Sequence, residues 1–151
     1  MSIRRKLKRQ DYEAKPFLAW NAYVHLLAVE KYEDLTPVQA DASLIFWYDS
    51  EVQNGGHFQY FVNKGIVKAE LAVTALGRLD ATNHQRILSD AIDLWNSRER
   101  HQIQSVQEFC DEARAGNFKS LDHAYYLCKP AIKSFLEDFL RNHFEEFIEL
   151  G

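Results

Sequence analysis

The sequence predicts an all-α fold, a single-domain irregular bundle of about seven or eight helices. Apolar residues recur at helical spacing along most of the chain, and no segment alternates apolar and polar residues with the period of a strand. Glycine and proline are scarce, with six and three among 151 residues, which disfavours a turn-rich β fold. A chain of this length usually forms one domain. We therefore expect one helical domain over residues 16–151, preceded by a basic N-terminal arm or first helix at 1–15.

The basic segment at residues 1–15 holds six bases and two acids, although the whole chain carries a net charge of −4. Such a segment can contact an anionic surface, or it can be a solvated helix or a frayed terminus. Its apolar anchors are Ile3 and Leu7, so we expect residues 1–9 to contribute little to folding. No apolar stretch of signal-peptide length follows the segment. We therefore expect a cytoplasmic protein.

The first two long helices have clear sequence signals. Pro16 suits a first helical turn, and an apolar stripe follows it. The run Thr36-Pro37-Val38-Gln39 then matches a capping box, with threonine at the N-cap and glutamine at N3. We expect the helix that begins there to break at Asn54-Gly55-Gly56, and a short helix to follow from Gln59 to Asn63.

Apolar stripes predict further helices down to the C-terminus, with a polar loop at 96–101. The predicted helices carry a stripe from Ala69 to Leu79, a second capping-box pattern from Thr82 to Gln85, an apolar face from Val106 to Ala113, a start at Ser120 leading to Leu127, and a last stripe from Ile132 to Phe147.

Residues 51–63 form the motif with the most chemical content. Glu51 continues the inward-facing line of a strongly apolar helix, so its carboxylate needs hydrogen bonds or an ion pair. The polar groups can form a network that ties two helices at a kink, line a small pocket for a ligand or partner, or act in catalysis. The candidate residues of this motif are Glu51, Asn54, Gly55, Gly56, His57, Gln59, Tyr60 and Asn63.

This motif resembles the signature of the bacterial DNA-mimic protein family (DNA mimic protein 19-like), which is close to E-V-x-N-G-G-x-x-Q-[FY]-F-x-N. The residues that match are Glu51, Val52, Asn54, Gly55, Gly56, Gln59, Tyr60, Phe61 and Asn63. Leu121-Asp122 followed by Tyr125-Tyr126 looks like a later element of the same family, and the resemblance covers roughly residues 36–150. Where the family often has Phe after the two glycines, this chain has His57.

The resemblance implies a non-enzymatic protein that binds a partner with a basic surface, either a DNA-binding regulator or a nuclease-type toxin. Direct binding of nucleic acid is not expected, and a homodimer stays open. Two alternatives from other classes remain: a small-molecule-binding or hydrolytic domain that uses the glycine break at 51–63, and an accessory structural domain.

Residues 134–151 carry five acids against a single base, Arg141. On one long helix these acids would form a ridge opposite the phenylalanine stripe, either a solvated face or a docking surface for a basic partner. The candidate docking residues are Glu137, Asp138, Glu145, Glu146 and Glu149.

Metal and cofactor chemistry has little support in the sequence. The six histidines form no HExxH pattern and no histidine–cysteine pair at ligand spacing, and no phosphate-binding loop is present. Cys110 and Cys128 are expected to be free core thiols, and His143 a hydrogen-bonded core histidine. We expect no cofactor, no bound metal, no catalytic residues and no membrane span.

Overall fold

The computed structural model describes residues 3–97 and 118–151, and within these ranges it confirms the predicted all-α irregular bundle. The α-helices are α1 (Arg9–Ala14), α2 (Phe17–Val29), α3 (Pro37–Lys64), α4 (Ile66–Arg78), α5 (Thr82–Ser97), α6 (Lys119–Leu127), α7 (Ile132–Asn142) and α8 (Phe144–Phe147). A 3₁₀ turn spans Tyr32–Asp34, and two short strands are β1 (Arg5–Leu7) and β2 (Ile148–Leu150). The helix predicted from Val106 to Ala113, with Cys110, lies outside the described residues.

The chain divides into two compact units. The first comprises Met1–Trp47 and Pro130–Gly151, and the second is Tyr48–Lys129. None of the helices in the described ranges is both long enough and apolar enough to cross a membrane.

The capping box predicted at Thr36 is confirmed in the first unit. The Gln39 backbone N–H donates to the Thr36 hydroxyl at 3.2 Å, and the Thr36 N–H donates to the Gln39 side-chain oxygen at 3.0 Å. The side chain of Gln39 is fully buried, and its amide nitrogen donates to the backbone oxygens of Ile3 and Glu146. Gln39 thus caps the N-terminus of α3 and also hydrogen-bonds to the segments around Ile3 and Glu146.

The predicted last helix is interrupted. α7 ends at His143 (φ −130°, ψ 33°), α8 adds one turn, and the chain then extends into β2. β2 pairs in parallel with β1, with Arg5 opposite Ile148. Long-range strand pairing and the burial of Phe147 and Ile148 override the helical pattern here. His143 is therefore a half-buried residue at the end of a helix rather than a core histidine inside one.

The described part of the N-terminal arm is only partly helical, with α1 preceded by the strand β1. The Gly151 N–H donates to the Leu7 carbonyl at 2.9 Å, and the Arg9 N–H donates to the Gly151 carbonyl at 3.0 Å. Arg5 also forms an ion pair with Glu30 at 2.9 Å. These contacts favour a larger contribution of residues 1–9 to folding than the two apolar anchors led us to expect.

Helices α4 and α5 follow each other in the second unit and bury their predicted apolar stripes. α4 ends in a Schellman motif: the Ala81 N–H donates to the Leu76 carbonyl, the Asp80 N–H donates to the Gly77 carbonyl, and Asp80 has a φ of 61°. The predicted capping box at Thr82 is not formed as expected. α5 already begins at Thr82, and the Gln85 side chain donates to the Val73 carbonyl of α4 at 3.0 Å.

The role of the N-terminal arm can be tested by deletion. Removing residues 1–8 should lower the free energy of unfolding by roughly 2–4 kcal/mol, because it removes the β1–β2 hydrogen bonds and one partner of the buried Gln39 amide. For a chain of this size that loss corresponds to a fall of about 5–15 °C in the thermal midpoint, measured by circular dichroism. An unchanged midpoint would show that the arm is an accessory segment.

Candidate functional site

The helix α3 breaks at Gly56, as the sequence predicted. Gly56 has φ 81° and ψ 179°, a combination that essentially only glycine adopts. A Cβ at this position would also lie 2.5 Å from a carboxylate oxygen of Asp122. Gly56 is therefore required twice, once for its backbone angles and once for the space that Asp122 occupies.

Asp122 of α6 caps the helical segment that restarts after the break. Its Oδ1 accepts the backbone N–H of His57 at 2.9 Å and lies 2.7 Å from Nδ1 of the His57 ring. The first N–H groups of a helical segment lack partners within the helix, and the helix dipole favours a negative charge there. The two motifs of the family resemblance, at 51–63 and 121–126, thus meet at this carboxylate.

The His57 ring continues the chain of hydrogen bonds inward to Tyr48. Its Nε2 lies 2.8 Å from the Tyr48 hydroxyl, and neither residue has any exposed surface. Burial, chiefly, raises the pKa of Tyr48 well above its ordinary value, so the hydroxyl keeps its proton. This pattern fits the histidine tautomer that donates from Nδ1 to Asp122 and accepts from Tyr48 at Nε2.

A second tyrosine–carboxylate pair lies beside the first chain. The Tyr125 hydroxyl donates to Asp49, and the Tyr125 ring packs edge-on against the rings of both Tyr48 and His57. Burial, followed by the charge of Asp49, raises the pKa of Tyr125. The neighbouring Tyr126 donates to the Val52 carbonyl at 3.0 Å. Two tyrosines of α6 therefore hold α3 on the N-terminal side of the break.

Glu51 bridges the two segments of α3. Its Oε2 accepts the side-chain N–H groups of Gln59 at 3.0 Å and Asn63 at 2.8 Å. Glu51 is half-buried, and Gln59 and Asn63 supply the hydrogen bonds that its carboxylate was expected to need. Asn54 and Gly55 are exposed, whereas Tyr60 is buried against Tyr48. This geometry favours the interpretation of the motif as a network that ties two helical segments at a kink.

His84 and Cys128 form a further polar pair, with the thiol 3.7 Å from His84 Nδ1. Burial lowers the pKa of His84 and raises the pKa of Cys128, so each group favours its neutral form. A thiol of this kind is a poor nucleophile. Cys128 is free and half-buried at the end of α6. Within residues 3–97 and 118–151, no three histidine, cysteine or acidic side chains come together as a metal site.

The candidate docking acids lie on three elements rather than on one helix. Glu137 and Asp138 belong to α7, Glu145 and Glu146 to α8, and Glu149 to β2, because the chain turns at His143. All are exposed except Glu146, which is half-buried and accepts the Thr36 hydroxyl hydrogen at 3.3 Å. Asp138 pairs with Arg141 at 2.6 Å, and Glu149 pairs with Arg4 at 3.7 Å.

The residues that complete the polar chain at the break are not evident from the sequence. His57 stands where the family often has Phe, and no motif links it to its partners Asp122 and Tyr48. Asp122 lies 65 residues from His57, so no helical spacing relates them. The one available signal was that Asp122 belongs to the second element of the family resemblance.

The double requirement for Gly56 can be measured against a matched glycine. Gly65 has nearly the same backbone angles (φ 86°, ψ 161°), but no atom lies within 4 Å of where its Cβ would be. Gly65→Ala should lower the free energy of unfolding by about 1–3 kcal/mol, through backbone strain alone. Gly56→Ala should lower it by at least about 1 kcal/mol more, because the added methyl group displaces Asp122. Both free energies are measured by unfolding in urea. Equal losses of unfolding free energy in the two variants would show that the contact between Gly56 and Asp122 contributes nothing to stability.

Comparison with known proteins places both motifs within one family match. The family described as DMP19-like protein matches residues 33–143, a range that contains both motifs that meet at Asp122. No curated protein and no solved structure matches the chain. The chain therefore belongs to the DMP19-like protein family.

Proposed function

We propose that this protein acts by binding a partner with a basic surface, and that it does so through the acidic face formed by Glu137, Asp138, Glu145, Glu146 and Glu149. Membership of the DMP19-like family is the observation that carries the proposal. The partner class is a DNA-binding regulator or a nuclease-type toxin, since such proteins present the arginines and lysines that normally contact phosphates.

The charges of the acidic face are available to a partner. Four of the five side chains are exposed, and the pair between Asp138 and Arg141 is itself on the surface. Exposed ion pairs contribute little to stability, so a partner's bases can replace Arg141 or Arg4 at small cost. The acids on α7, α8 and β2 belong to three elements of the same unit.

The polar groups at the Gly56 break support a structural role in preference to a ligand site. The hydrogen-bonding groups of His57 and Tyr48 are used within the network, and both side chains are fully buried. The Glu51 carboxylate is bound by Gln59 and Asn63. A small molecule would have to displace these internal partners, so we prefer the interaction function to the small-molecule or hydrolytic alternative.

Charge reversal tests the proposal. The double variant Glu145→Lys and Glu149→Lys should lose partner binding and keep its fold, because exposed charges usually contribute under about 1 kcal/mol to stability. The partner is captured from native lysate with the wild-type chain, and its association is then followed by surface plasmon resonance at two salt concentrations. The association rate should fall as salt rises, since ions screen the steering field over about 8 Å at physiological strength.

The matched control is Glu70→Lys with Asp90→Lys, which makes the same change in net charge at exposed sites of the second unit. This control should keep most of the binding. Full binding by the Glu145/Glu149 variant, or equal losses in both variants, would remove the acidic face as the docking surface.

A further inference from the structure

A groove in the first unit has the chemistry of a site for one cationic side chain. Its volume is about 510 Å³, and its walls come from α1, α2, α7 and the start of α8. Three aromatic rings line it, those of Tyr12, Trp20 and Phe144, together with the charged side chains of Glu137 and Arg141. The rings of Tyr12 and Phe144 lie 5.4 Å apart at a tilt of 47°.

The charge balance of this groove leaves one carboxylate available. The Arg141 guanidinium pairs with Asp138 at 2.6 Å, which neutralises the one base in the lining. Glu137 is exposed and forms no ion pair with another residue in the described part of the chain. Aromatic faces attract cations, and an adjacent carboxylate strengthens that preference.

The protein already places one cation on this aromatic wall. The Lys133 ammonium lies 5.6 Å from the centre of the Trp20 ring, within the range of a cation–π contact. Lys133 does not line the groove, so its contact uses the ring without filling the site. The internal contact shows that the Trp20 ring is placed where a cation can reach it.

We propose that this groove binds an arginine side chain of the basic partner, as the anchor of the docking described above, so the inference rests on the proposed function. Arginine fits better than lysine, because a planar guanidinium stacks on aromatic rings and bonds a carboxylate with two parallel N–H groups. Glu137 belongs both to the groove and to the acidic face, which makes the groove continuous with the proposed docking surface. The few residues that carry most of the binding energy at protein interfaces are enriched in Trp, Tyr and Arg.

The test uses the full chain labelled with ¹⁵N and acetylated tetra-arginine amide as the probe. Tetra-citrulline has nearly the same shape without charge, and tetra-lysine has the charge without the planar group. Tetra-arginine should shift the indole N–H signal of Trp20 and leave those of Trp47 and Trp95 in place. Tetra-citrulline should shift none of them, and tetra-lysine should bind several-fold more weakly.

Variants of the groove residues distinguish binding of tetra-arginine in the groove from non-specific electrostatic attraction. Trp20→Leu should weaken tetra-arginine binding by about fivefold or more, and Glu137→Gln by about threefold. Lys133→Met should strengthen binding about twofold, because it removes a cation that competes for the ring. Glu137 and Lys133 are exposed, so these two variants keep the test valid if Trp20→Leu fails to fold.

The outcomes distinguish this inference from the proposed function. One outcome is that Trp20→Leu and Glu137→Gln bind tetra-arginine like the wild type while the Glu145/Glu149 reversal loses the partner. The groove is then excluded as an arginine site, and the acidic face is kept as the docking surface. If the two groove variants lose tetra-arginine binding and the Glu145/Glu149 reversal keeps the partner, the groove is an arginine site, but the acidic face and the role of the groove as the anchor of that docking are excluded. An unmoved Trp20 indole signal at millimolar tetra-arginine would also overturn the inference.

Discussion

The carboxylate of Asp122 determines how the second unit is built. It accepts the backbone N–H and lies against the ring nitrogen of His57, at the point where α3 restarts after Gly56. The Nε2 atom of the same ring is hydrogen-bonded to the buried hydroxyl of Tyr48. Without this carboxylate, buried donors would lose their partner, and an unsatisfied buried polar group costs about 1–3 kcal/mol. The restart of α3 and the buried histidine therefore depend on this carboxylate, while Tyr125 and Tyr126 add further contacts between α6 and α3.

Five residues of the family signature have a shared structural explanation. Gly56 makes room for Asp122, Glu51 joins Gln59 to Asn63, and Tyr60 packs against Tyr48. These contacts account for the five residues through folding. The surface that we propose for recognition consists of other residues, in the other unit, where side chains can vary without disturbing the network.

Local signals made much of this fold predictable. The capping box at Thr36, the break at Gly56 and the apolar stripes of α4 and α5 each depend on residues within a few positions of one another. The errors came from distant contacts. The helix after Ile132 ends at His143 because β2 pairs with β1 from the other end of the chain. Gln85 donates to α4 instead of completing a capping box. The His57–Asp122 contact joins residues 65 positions apart, which no periodicity can show.

A double-mutant cycle between Asp122 and His57 tests the account most directly. Asp122→Ala, His57→Phe and the double variant are compared by urea unfolding, with Phe keeping the volume of a buried ring. We expect a coupling energy of about 1–3 kcal/mol between the two residues, as found for residues that share one hydrogen-bond network. The control combines Asp122→Ala with His123→Ala, a change at its exposed neighbour. The losses of unfolding free energy from these two substitutions should add to within about 0.5 kcal/mol. Additive effects of the Asp122 and His57 variants would contradict the claim that their contact holds the break.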